Sequence, residues 1–155
     1  MSIDMNGKSK VKNLCDWQIS WERINSAGDE FIKANNVAYI NNAEIEVQVQ
    51  NGNIFFIGTG NGDHARVFIE NQELREHLGF DNIEEKRTQL ILNDEKCKEI
   101  IELKTLNTFK KHVIENAVTN QEKAKIINYS RKHKLNDYDK IKFLEEHCNI
   151  PFKLD

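Results

Sequence analysis

The histidines and cysteines bound the chemistry this chain can do. His64, His77, His112, His133 and His147 are scattered, as are Cys15, Cys97 and Cys148. The chain contains no Cys-x-x-Cys, no His-Glu-x-x-His and no Asp-x-Asp-x-Asp-Gly calcium loop, so no set of ligands has metal-binding spacing. His147 and Cys148 are neighbours on an expected helix, where they point about 100° apart. The densest polar cluster is Asp63-His64-Ala65-Arg66, directly after Gly58-Thr59-Gly60-Asn61-Gly62. A histidine beside a carboxylate and an arginine is acid/base material. No nucleophile accompanies it, and on an expected strand His64 and Arg66 share a face. The glycine run hints at phosphate, but a dinucleotide fingerprint needs its glycines to open a helix, and a P-loop needs Gly-Lys-Ser/Thr. Here Gly62-Asp63-His64 leads into a strand pattern. A strand reversal explains the glycines, with His64 and Arg66 left to meet a protein partner. No cofactor, no metal and no catalytic residues are expected, and the chain reads as a non-enzyme.

Two further clusters could bind macromolecules. Lys123, Lys125, Arg131, Lys132 and Lys134 fall in a stretch, 123–134, without an acidic residue. On a helix this is ordinarily a solvated face. Its functional alternative is phosphate contact, with little sequence preference and steep salt dependence. Trp17 and Trp21 lie on one face of an expected strand with Cys15 and Ile19. Such a pair is usually core, but on a sheet with one covered face it becomes a protein-binding patch.

These residues need elements to hold them. Residues 1–12 are polar and read as a flexible tail. A β-rich unit follows over 13–80. The alternation of Ile45, Val47 and Val49 with Glu46, Gln48 and Gln50 favours a strand over 43–50, turned by Asn51-Gly52. The alternative there is a short helix ended by Gly52 as its left-handed residue. Ile54–Ile57 reads as a strand buried on both faces, and His64–Ile69 as its return. Asn71 caps a short helix ended by Gly79. Residues 81–92 read as a linker, and 93–155 as a helical unit of three or four helices. Its landmarks are a start near Asn93, one helix or two abutting at Thr105, a capping box at Thr119–Glu122, and a last helix from Asn136. Phe152 is expected to anchor the end. The expected fold is α+β: a small, mainly antiparallel β unit, then helices.

At 155 residues the chain can bury a core without staples. Its 39% hydrophobic and 30% charged content is that of a folded soluble domain, not of a disordered one. No run approaches the roughly 18 apolar residues of a membrane span, and the N-terminus lacks an apolar signal region. Three widely spaced cysteines favour reduced thiols and a cytoplasmic setting. The net charge of −3 is no polyelectrolyte signature, so nucleic acid does not follow from net charge.

The segment QVQNGNIFFIGTGNGDHARVFIEN, followed by LREHLGFD and later by LNDYDKIKFLEEHCNIPF, resembles small proteins encoded in prophages of low-GC Gram-positive bacteria, among virion head and connector genes. The resemblance spans residues 13–152, and its most specific piece is Gly62–Arg66. Asp63 departs from the pattern, in which a small residue such as serine more often precedes the histidine. The resemblance supplies no catalytic residues. It implies a phage structural or accessory protein. The expected role is head-associated, with coat or connector proteins as partners, an oligomer left open, and the host cytoplasm or the virion as the location. The alternative function is a nucleic-acid-binding or host-directed module using the 123–134 face.

Overall fold

The computed structural model describes residues 3–153. The chain is α+β, and among the described residues the strand pairs are antiparallel. It divides into two compact units, Met1–Ile91 and Leu92–Asp155.

The first unit is built on β1 (Lys8–Asn13), which lies between β4 (Val37–Asn41) and β5 (Val67–Ile69). The residues expected to form a tail therefore supply the central strand from Lys8 onward. Its alternation is clean: Ser9, Val11 and Asn13 are buried while Lys8 and Lys10 are exposed. A separate ribbon pairs β2 (Ile19–Glu22) with β3 (Asp29–Ile32). The strand expected from Cys15 begins only at Ile19, because the buried Asn13 side chain bends the chain. Its Oδ1 accepts from Cys15 N–H at 2.8 Å, and its Nδ2 donates to the carbonyls of Trp17 (2.8 Å) and Ile32 (3.1 Å).

Residues 43–50 are helical, not extended. Asn41 caps α1 (Asn42–Gln50), accepting from Ala43 N–H at 3.0 Å and Glu44 N–H at 3.2 Å. The helix closes with Gly52 at φ +76, Gly52 N–H on the Val49 carbonyl and Asn53 N–H on that of Gln48, both at 3.0 Å. That is the Schellman arrangement. The apolar alternation misled because the buried face is largely polar, comprising Asn42, Glu44, Ile45 and Gln48. Glu44 accepts the backbone N–H groups of Ile24 and Asn25, tying the loop after β2 to the helix.

Ile54–Ile57 is likewise one helical turn, α2, and not a strand. Asn53 starts it by accepting from Phe55 N–H at 2.9 Å, and Gly58 stops it. Its Phe55 and Phe56 rings pack on Trp21 at 5.7 and 5.2 Å between centroids. After β5, Asn71 caps α3 (Gln72–His77), and Gly79 follows at φ +81, as the turn residues predict. Phe80, Val11, Ile45, Phe56, Ile69 and Leu74 are among the buried residues of this unit's core.

Residues 81–91 belong to the same unit and are not a detached linker. Asp81 accepts from Arg75 Nε and from Gln89 N–H, both at 3.0 Å. Gln89 Nε2 donates to the Gly62 carbonyl at 2.6 Å.

The second unit holds four helices: α4 (Asp94–Ile101), α5 (Leu106–Asn116), α6 (Asn120–Lys132) and α7 (Tyr138–Cys148). Thr105 caps a new helix, so the segment after Asn93 is two helices. The Thr119–Glu122 capping box forms as the spacing predicts, with Thr119 N–H 3.1 Å from Glu122 Oε1. Cys97, Ile100, Phe109, Val113, Ile126 and Leu144 lie in its core. The helices are joined by specific polar ties. Buried Lys140 donates to the Ile101 (3.0 Å) and Leu103 (2.6 Å) carbonyls at the end of α4. The α7 helix ends on Asn149 at φ +55, ahead of Pro151, and Phe152 packs partly buried against the core.

Candidate binding face of the sheet

The glycine loop is a structural knot. Gly58 sits at φ +58, where a Cβ would lie 2.0 Å from the Asp63 carbonyl oxygen, so only glycine fits. The Asp63 carboxylate accepts from the Arg87 guanidinium at 3.2 and 3.3 Å and from Leu90 N–H at 2.9 Å. His64 is in the turn at φ +58, not on the strand; it is buried, and its N–H donates to the Leu90 carbonyl at 2.7 Å. Arg66 is half-buried with its guanidinium 5.9 Å from the Phe55 ring centroid. The carboxylate beside His64 is thus engaged by residues 87–90, and His64 and Arg66 do not share a strand face.

The other expected sites separate in the same way. Trp21 is core, only 9% exposed, while Trp17 is 45% exposed, so the two do not form one patch. In the basic stretch, Lys125 is buried and lies 3.5 Å from Asp94. Arg131 donates to the Phe152 carbonyl at 2.6 Å, to the Pro151 carbonyl and to Asn128, holding the chain end in place. Lys132 and Lys134 are exposed and Lys123 is half-buried. Two of the five cations are therefore structural, which breaks the proposed continuous face. Burial pushes the Cys148 thiol up to about 11, with Lys123 opposing, so Cys148 is a protonated core thiol at neutral pH. Among the described residues no group of three or more His, Cys, Asp or Glu could hold a metal. No described helix is long and apolar enough to cross a membrane.

The organised surface lies elsewhere, on the outer face of the three-stranded sheet. Lys8, Lys10 and Lys12 point outward in a row down the central strand. The register sets Asn41, Tyr39 and Val37 beside them on β4, and Phe68 beside Lys12 on β5. Tyr39 is 64% exposed and Val37 is also exposed. Lys10 pairs with Glu70 at 3.6 Å, both side chains being well hydrated, so that contact neutralises little. Among the described residues neither Lys8 nor Lys12 has an ion-pair partner. Arg75 stacks 4.7 Å over the Phe68 ring. The clefts bordering the row differ. One of about 670 Å³ carries Glu70, Glu73 and Glu76, while one of about 390 Å³ on the β4 side carries Tyr39, Arg23 and Glu30.

The sequence signal for this face is Lys-x-Lys-x-Lys over residues 8–12, a period of two in a segment that its polarity had marked as a tail. No family model, no curated protein and no solved structure matches the chain.

Proposed function

We propose that the chain is a non-enzymatic binding protein whose recognition surface is the outer face of the β4–β1–β5 sheet. The observation that supports it is the row Lys8, Lys10, Lys12 on the central strand, the first two exposed and Lys12 half-buried, flanked by Tyr39 and Phe68. Lysine on an edge strand has a protective use, because it discourages sheets from joining edge to edge. On a central strand that reason is missing, and three like charges on one face repel one another. An anionic partner relieves that repulsion. The reading as a non-enzyme rests on the glycine loop, where Asp63 is held by Arg87 and Leu90 and not by an exposed reaction centre.

The resemblance of residues 13–152 to prophage head-cluster proteins supplies the setting. The protein acts as a phage structural or accessory component, in the host cytoplasm and then in or on the particle, through coat or connector contacts. The test is co-sedimentation of purified protein with assembled particles. The wild type pellets with them, and a Lys8→Gln/Lys10→Gln/Lys12→Gln variant that melts like wild type stays in the supernatant. A Lys132→Gln/Lys134→Gln variant behaves as wild type. Equal pelleting of the β1 variant overturns the assignment of the face.

A further inference from the structure

We infer that, besides the particle contacts proposed above, this face takes a single-stranded nucleic acid; the inference rests on the reading of the sheet face as the recognition surface. Successive outward lysines on a strand are about 6.8 Å apart, twice the rise per residue. That separation is of the order of the distance between consecutive phosphates in an extended strand, so Lys8, Lys10 and Lys12 form a matched ladder of cations. A row of amines alone takes any polyanion. The aromatic residues narrow the choice. Tyr39 stands directly across from Lys10, and Phe68 across from Lys12 on the opposite flank. Tyr39 is largely exposed and has no ring partner among the described residues. An exposed ring beside a phosphate ladder suits an unpaired base, whose π-face is free to stack; in a duplex that face is already covered. An acidic peptide brings no flat base to stack on the Tyr39 ring.

The surroundings set the path. Glu70, Glu73 and Glu76 border the β5 side and repel a phosphate backbone. On the β4 side Glu30 is paired with Arg23 at 3.2 Å and Glu44 is engaged by the Ile24 and Asn25 N–H groups, and the exposed Tyr39 ring lies there. The strand therefore runs along β1 with its bases toward β4. Three phosphate contacts give a salt slope of about −2, because each contributes roughly 0.7 on a single strand.

The experiment is fluorescence anisotropy on the full chain with a labelled oligothymidylate of about 15 nucleotides. The wild type binds it, and affinity falls roughly 15- to 20-fold from about 50 to about 200 mM salt. The triple lysine-to-glutamine variant on β1 loses binding. Tyr39→Ala lowers affinity about tenfold while Tyr39→Phe retains it. A duplex of the same length and polyglutamate both bind more weakly. Absence of oligothymidylate binding, equal binding by the triple variant, or preference for polyglutamate or duplex overturns the inference. If wild type ignores the oligonucleotide while the triple variant still loses the particle, this inference fails and the sheet-face reading stands. If oligonucleotide binding depends on the lysines but particle association does not, the particle role fails and this inference stands.

Discussion

Replacing Asp81 by alanine tests whether residues 81–91 are integral to the first unit. The Asp81 side chain is 6% exposed and that of Arg75 is 15% exposed, with 3.0 Å between Nε and Oδ2. The other Asp81 oxygen accepts Gln89 N–H at 3.0 Å. Truncation removes the carboxylate from Arg75 and the acceptor from Gln89 together. Breaking a buried pair by removing one partner costs about 3–5 kcal/mol. Arg75 keeps the Ile69 carbonyl at 2.6 Å and the Phe68 ring, so the lower end applies, about 3 kcal/mol. In a unit of this size that lowers Tm by about 12–24 °C. Urea unfolding followed by tryptophan emission isolates the effect, because Trp17 and Trp21 are the chain's two tryptophans and both lie in this unit. Asp81→Asn, which keeps an acceptor for Gln89, loses about half as much. A loss below about 1 kcal/mol for Asp81→Ala refutes the reasoning and returns residues 81–91 to the status of a passive connection.

Three other outcomes follow from the packing. Gly58→Ala costs at least about 3 kcal/mol in the same melt, since a positive φ adds to a backbone clash at 2.0 Å, whereas Gly52→Ala, with nothing within 4 Å, costs about 1–2; equal losses would contradict the loop geometry. Lys140→Met, followed by circular dichroism at 222 nm, destabilises the helical unit by about 2–3 kcal/mol through two charged hydrogen bonds lost from the end of α4, and an unchanged melt counts against that tie. The Cys148 thiol is raised from 9.0 to about 11 by burial, so the folded state holds its proton more tightly than the unfolded one. Stability from this group is therefore whole below about pH 9 and falls as pH rises toward 11, by on the order of 2–3 kcal/mol. Tyr129 is raised too, burial again being the first cause, so Cys148→Ala must flatten only part of the alkaline decline. A profile identical to wild type refutes the assignment.

Helix boundaries were the most legible features of the sequence, because caps are local chemistry. Asn71, Asn93, Thr105 and Thr119 all start helices with their own side chains or a capping box. The failures have a common physical source in polar residues that become buried. Glu44 and Gln48 face inward on α1 because loop N–H groups reach Glu44 and the Gln48 side chain reaches the Glu22 carbonyl, and no apolar pattern reports that. Asn13 bends the chain at a place where alternation promises a longer strand. The β1 strand was hidden because only Val11 in Lys8–Asn13 is apolar, while Ser9 and Asn13 are buried through side-chain bonds. The lysine row is hidden with that strand, whereas the 123–134 stretch stands out by its charge although its Lys125 and Arg131 hold the fold. Asp63 and His64 were visible as a cluster, but their engagement by residues 87–90 is long-range and leaves no spacing signal.

The most direct test of the sheet face as recognition surface is a lysine-acetylation footprint of the full chain, free and bound to purified particles. Protection of Lys8, Lys10 and Lys12 on binding, with Lys132 and Lys134 unchanged, is the predicted result. Unchanged reactivity of the three β1 lysines, with protection at Lys132 and Lys134, would contradict it.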